Sequence, residues 1–155
     1  MSDLERLIAI EEIRRVIATY AIAYDDKDWE TFAELWTEDA AFAVAGQAWE
    51  GKAALLEFLT TCLPDDYDGK HMNSPSLIEV ATDGQSATAR TDVVWITQSF
   101  ENQIVGRYND QFARVDGRWL FKRREETPVE FRPGPPPMSD AAVGASAATM
   151  RKEVA

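Results

Sequence analysis

Ile10, Ile13, Ile17, Tyr20 and Tyr24 recur at steps of three and four residues, with charged side chains between them. That period builds one apolar stripe, so the first segment reads as a long amphipathic helix. "DWETFAELW" continues the period over a second, short helix, for which Asp28 is an N-cap candidate. "AAFAVAG" reads as a strand of small residues that turns at Gly46. "GKAALLEFLTTCLP" is a third helix, opened by Gly51 and stopped near Pro64. Beyond "DDYDG" the rhythm changes to strands. "KHMNSPSLIEV" is extended, with Pro75 marking an edge position or a bulge. "ATDGQ" has hairpin chemistry at Asp83 and Gly84. "SATARTDVVWITQ" and "QIVGRYNDQFARV" follow as long strands, then a turn at Asp116–Gly117 and a last strand, "RWLFKRREE". In "QIVGRYNDQFARV", Gly106, Tyr108, Asp110 and Phe112 share one face, so a covered face carries an aspartate. Helices, one strand, a helix and then a hairpin-rich antiparallel sheet define an α+β domain.

From Thr127 the texture alters. "TPVEFRPGPPPMSD" cannot form a regular element, and "AAVGASAATMRKEVA" is at best a short Ala-rich helix. The expected organisation is therefore one domain over residues 1–126. Residues 127–155 form a Pro- and Ala-rich tail, either mobile or serving as a flap or subunit contact. A chain of 155 residues suits a single core and leaves little room for a second.

Composition narrows the partners. The formal net charge of -11 repels polyphosphate and anionic lipid, which argues against nucleic acid and membrane surfaces. No apolar run is long enough to span a membrane, and "MSDLERLIAIEEIRR" lacks a signal-peptide core, so the expected location is the cytoplasm. Cys62 is the only cysteine and His71 the only histidine, which excludes an intrachain disulfide and the common zinc ligand sets; a carboxylate-bound ion stays open, but no stretch has the spacing of a calcium loop, so no metal is expected.

Two places carry candidate chemistry. In "YAIAYDDKDW", Asp25 and Asp26 fall in the last helical turn, where the helix dipole disfavours negative charge by about 0.3–1 kcal/mol. Asp28 serves as a cap and Asp26 can be solvated, whereas Asp25 lies beside the apolar stripe without an evident structural use. A buried carboxylate there wants a cationic or donor partner, and His71 in "GKHMNSP" is the natural one. An Asp that holds an imidazole fixes its tautomer and supports the imidazolium, which makes His71 a general base. Tyr20 or Tyr24 could offer a phenol to an oxygen of the substrate. The plainer alternative stays open at this stage: core tyrosines, a surface Asp25 and a His71 half in solvent. Tyr20 and Asp25 are five residues apart, so both reach one pocket only where it wraps the helix end.

"YAIAYDDKDWETFAELWTEDAAF", "KHMNSP" and "GRYNDQFARVDGRWLFKRR", in this order of elements, resemble the SnoaL-like branch of the nuclear transport factor 2-like superfamily over residues 4–126. That branch includes bile-acid 7α-dehydratase, scytalone dehydratase and hexachlorocyclohexane dehydrochlorinase. The resemblance implies a cone: a curved antiparallel sheet and three helices around an apolar pocket, usually as a homodimer or higher homo-oligomer. Tyr20, Asp25 and His71 match the catalytic Tyr, Asp and His of its dehydratase-like members. It implies a cofactor-independent lyase acting on a small hydrophobic cyclic substrate. His71 would be the base, Asp25 its support and Tyr20 a hydrogen-bond donor. Tyr24, Trp36, Phe58, Trp95 and Phe112 are expected as pocket walls, with Asn73, Tyr108 and Asp110 as polar lining. Two alternatives accompany this reading: a polyketide-type cyclase or isomerase using the same dyad, and a non-catalytic module that holds a small ligand. Departures are visible too. Trp95 stands where bile-acid dehydratase has a further Asp, and the second His of scytalone dehydratase is missing. Arg90 and Asp92 imitate the Arg-x-Asp of epoxide hydrolases or form a surface pair. Arg123 and Arg124 either reach a carboxylate-bearing substrate or, as a basic strand end in an acidic protein more often does, form ordinary surface.

Overall fold

A capping box starts the first helix, α1 (Asp3–Asp25): Ser2 Oγ accepts from the Glu5 N–H, and the Glu5 carboxylate accepts from the Ser2 N–H at 2.7 Å. The computed structural model describes residues 1–62, 68–97 and 103–129. The stripe of α1 turns inward as its spacing predicts, with Ile13, Ile17 and Tyr20 buried and Ile10 and Tyr24 packed at the core margin. Asp28 caps α2 (Trp29–Glu34) by accepting from the Thr31 N–H at 3.1 Å. The third helix, α3 (Lys52–Thr61), follows Gly51, whose φ of 87° suits a glycine. Pro64 and the tail from residue 130 lie outside the described residues.

The strands depart from the pattern in three ways. Trp36 does not end the second helix; it opens β1 (Trp36–Val44). β1 turns at Ala45–Gly46, with φ of 51° and 79°, into β2 (Gln47–Glu50), an element the sequence pattern does not announce. β2 escapes detection because it is short and largely exposed, so no alternation marks it. Pro75 breaks "KHMNSPSLIEV" into β3 (Gly69–Asn73) and β4 (Leu77–Val80), and both pair with β5 (Ser86–Thr97). Then come β6 (Gln103–Val115) and β7 (Arg118–Pro128), joined at Asp116–Gly117 with φ of 49° and 80°. Positive φ at both positions is the two-residue hairpin geometry that "DG" announces.

The seven strands run β2-β1-β7-β6-β5-β3 in one sheet, with β4 also on β5. The expectation of an antiparallel sheet fails at one place: β1 lies parallel to β7. The helices cover one face, where Ile13, Ile17, Phe32, Leu55 and Leu59 meet Ala87, Ala89, Phe112 and Phe121. The architecture is α+β, with three helices over the sheet. β7 also runs two residues past the boundary expected at 126, pairing Thr127 and Pro128 with β6.

A bulge in β7 sets which of its residues face the helices. Phe121 lies opposite Phe112 and Arg123 opposite Gln111, so Lys122 is an extra residue in that strand. It reverses the alternation, and Arg124 and Glu126 then take the covered side that Trp119 and Phe121 occupy earlier. Among the described residues no helix is long and apolar enough to cross a membrane.

Candidate active site

The C-terminal end of α1 and the start of β3 meet at Asp25 and His71. The Asp25 carboxylate takes two bonds from one residue: Oδ2 accepts from the His71 backbone N–H at 2.8 Å, and Oδ1 lies 2.6 Å from His71 Nδ1. Both side chains are nearly out of solvent, at 6% exposure for His71 and 5% for Asp25. An ionised carboxylate can only accept, so in the neutral imidazole it fixes the proton on Nδ1 and leaves the lone pair on Nε2. The imidazole stands edge-on to two phenols, with ring centroids 6.0 Å from Tyr20 and 5.4 Å from Tyr24. The other two aspartates of the run have structural duties: Asp26 pairs with exposed Lys70 at 2.8 Å, and Asp28 caps α2.

His71 lines a cavity of about 220 Å³ between the helices and the sheet. Tyr20 and Tyr24 from α1, Phe58, Leu59 and Cys62 from the α3 end, and Val93, Trp95, Ile104, Tyr108 and Glu126 from the sheet complete most of its wall. Asp25 stands behind His71 instead of in the wall. This resolves the spacing problem: Tyr20 and Asp25 need not face one pocket, because only the imidazole has to.

Of the residues expected around the pocket, the structure brings together Tyr20, Tyr24, Phe58, His71, Trp95 and Tyr108. Four lie elsewhere. Trp36 is buried in the core, edge-on to Tyr20 and 5.0 Å from the Phe121 ring. Phe112 packs on Phe121 at 4.7 Å, deeper than the cavity. Asn73 shares the His71 side of β3, but it sits away from the cavity wall, with its amide oxygen buried. Asp110 is fully buried and belongs to an ion pair, not to a substrate surface. Arg90 and Asp92 form no inward pair either, since Asp92 accepts from Arg107 Nε at 2.7 Å on the exposed side.

Arg124 overturns its expected place on the surface. Its Nε and Nη2 donate to the two Asp110 oxygens at 2.8 Å each, and neither side chain is exposed. The guanidinium carbon lies 4.0 Å from the Tyr20 ring centroid and 3.9 Å from that of Tyr108. Sequence alternation locates the buried aspartate and misses its partner, because the Lys122 bulge hides the phase of β7.

Electrostatics follow from burial. It pushes the Tyr20 phenol up to about 12, against the pull of the Arg124 charge. Burial also raises Tyr24, helped by the Cys62 thiol 3.5 Å from its hydroxyl, and it lifts Tyr108 well above the usual phenol range. Glu126, which sequence reasoning misses altogether, lines the cavity with a carboxyl that burial raises, against the opposing charges of His71 and Arg124. No cluster of three or more His, Cys, Asp or Glu among the described residues could hold a metal ion.

Gly69 supports this wall by having no side chain. A Cβ built there would lie 2.3 Å from the Trp95 ring, so the indole rests directly on the backbone of β3 two residues before His71. Gly69→Ala is expected to force the indole or the strand aside at a cost of about 1–3 kcal/mol, read as a lower denaturation midpoint. A midpoint equal to that of the wild type would show that the indole moves freely.

Comparison with known proteins places this geometry. The SnoaL-like domain family matches residues 5–125. Gamma-hexachlorocyclohexane dehydrochlorinase of Sphingobium indicum is 26% identical over 139 residues, covering 86% of this chain and 88% of that protein. A solved structure of a protein of unknown function from Mycobacterium tuberculosis superposes with a TM-score of 0.75 at 26% identity, covering 98% of this chain and 95% of that one. A nuclear transport factor 2-like protein with a cystatin-like fold from Novosphingobium aromaticivorans gives 0.72 at 30% identity, covering 91% and 90%.

Proposed function

The chain belongs to the SnoaL-like domain family, and from its buried dyad we propose that it is a lyase that eliminates a leaving group from a small hydrophobic cyclic substrate. The observation that carries this reading is the double grip of Asp25 on the His71 ring and backbone at a cavity wall. His71 Nε2 takes a proton from carbon, the C–H electrons form a double bond, and the leaving group departs with its own pair. That sequence requires no cofactor. Asp25 holds the imidazole in one tautomer and stabilises the imidazolium that results. Tyr20, with a phenol kept protonated to about 12, is a hydrogen-bond donor over the whole working range. The walls set by Phe58, Trp95 and Leu59 suit an apolar ring, and about 220 Å³ suits one smaller than most drug-sized ligands. The dehydrochlorinase relative, named for the loss of HCl, supports an elimination.

Product analysis tests the proposal. Purified protein is offered γ-hexachlorocyclohexane and β-hydroxycyclohexanone, and release of chloride or water with a new double bond is the expected result. An isomer of unchanged mass, or a ring-closed product from an open polyketide analogue, would replace elimination by isomerisation or cyclisation on the same base. Tight binding of the probes without turnover would make the chain a ligand-holding module.

A further inference from the structure

We propose that Glu126 is the proton donor of this site, so that the group expelled is a hydroxyl and not a halide. The inference rests on the lyase reading above and deepens it. Glu126 supplies a carboxyl and His71 an imidazole to the same cavity lining. Arg124, on the same side of β7, gives both of its short bonds to Asp110. β7 lies three strand spacings from β3, about 14 Å along the sheet, yet both line one cavity. A ring bound there has a base on one wall and a carboxyl on the other.

The chemistry of the leaving group then decides. Chloride departs as a stable anion and needs no proton. Hydroxide is a poor leaving group and must receive one as the C–O bond breaks. In the proposed step His71 Nε2 takes the carbon-bound proton and the C–H pair becomes the C=C bond. The C–O bond breaks toward oxygen, and that oxygen takes the Glu126 proton and leaves as water. An imidazolium and a carboxylate remain. Return of the proton from Nε2 to Glu126, through the water just formed, restores both groups.

The surroundings shift the carboxyl toward its protonated form. The titratable and charged groups around it are Tyr20 and Tyr24 from α1, Cys62 from the α3 end, His71 from β3, Tyr108 from β6 and Arg124 in its own strand. The three phenols stay neutral, because burial raises each of them. Burial also outweighs the pull of Arg124, and of His71 when its imidazole is protonated, and lifts the carboxyl above its ordinary value. A carboxyl raised in this way binds more protons folded than unfolded, so it withdraws stability as pH rises through the window between the ordinary and the raised value. Glu126→Gln removes that penalty and is expected to be no less stable than the wild type above this window.

The test pairs β-hydroxycyclohexanone with β-chlorocyclohexanone, which differ in the leaving group alone. Glu126→Gln is expected to lose about 10²-fold or more on the hydroxy ketone and at least tenfold less on the chloro ketone. Glu126→Asp is expected to recover part of the first loss. Equal losses on both ketones, or none on the hydroxy ketone, overturn the proposal. Infrared difference spectra of wild type against Glu126→Gln across pH give a second readout that needs no turnover. A protonated carboxyl persisting above the ordinary glutamate range is expected, and a plain carboxylate there overturns the proposal. Should neither ketone react, the elimination reading itself fails, and the infrared titration alone decides whether Glu126 carries a proton.

Discussion

His71→Ala is expected to lower kcat for elimination by about 10²–10⁴-fold, the usual contribution of a positioned general base, while the fold survives. The expectation rests on the bonds of the imidazole. Its Nδ1 is held by Asp25 at 2.6 Å, and the ring lines a cavity whose described lining holds no other imidazole. Asp25→Asn tests the same arrangement from behind. An amide of the same shape keeps the contact but can donate to Nδ1, which favours the tautomer whose Nε2 is already protonated and cannot accept. The variant should therefore lose kcat with little change in KM. The backbone bond from His71 N–H can survive through the amide oxygen, so a large loss of stability is not expected. Either variant retaining full activity on a substrate the wild type consumes would remove the dyad from the mechanism. Initial rates under saturating substrate, with circular dichroism of each variant, make the measurement.

Asp110→Ala is expected to be the most damaging substitution for stability, at about 3–5 kcal/mol. It would strand the Arg124 guanidinium at zero exposure among the Tyr20, Tyr108 and Phe121 rings, where water cannot solvate it. Aromatic faces offset part of that cost but cannot replace two charge-assisted hydrogen bonds. For a domain of this size the loss corresponds to a fall in Tm of roughly 6–20 °C. The double variant Asp110→Leu/Arg124→Met should recover much of it, since a buried pair contributes little beyond a well-packed apolar replacement. Urea denaturation at fixed protein concentration reads both. A loss below about 1 kcal/mol for the single variant would mean that Arg124 finds another partner or reaches water.

Much of this site is legible in the chain, for identifiable reasons. The α1 stripe follows from period alone, and the dipole-disfavoured Asp25 stands out because Asp26 and Asp28 have simpler duties, which the Lys70 pair and the α2 cap account for. The buried Asp110 follows from strict alternation along "GRYNDQF". The same reasoning fails at Trp36 and Phe112: an inward-facing aromatic can pack on Phe121 as readily as line a cavity, and periodicity does not tell depth.

Local pattern thus determined the helices, most of the strands, the two "DG" turns and the faces of α1 and β6, because those depend on near neighbours in the chain. Tertiary structure decided the parallel seating of β1 on β7, the distance between Asp25 and His71, and which residues of β7 enter the cavity. The last of these turns on Lys122. One extra residue in a strand inverts every side chain after it, and only the register against β6 reveals that it is there. Without that inversion Arg124 and Glu126 would face outward, Asp110 would have no partner, and the wall opposite His71 would carry no carboxyl.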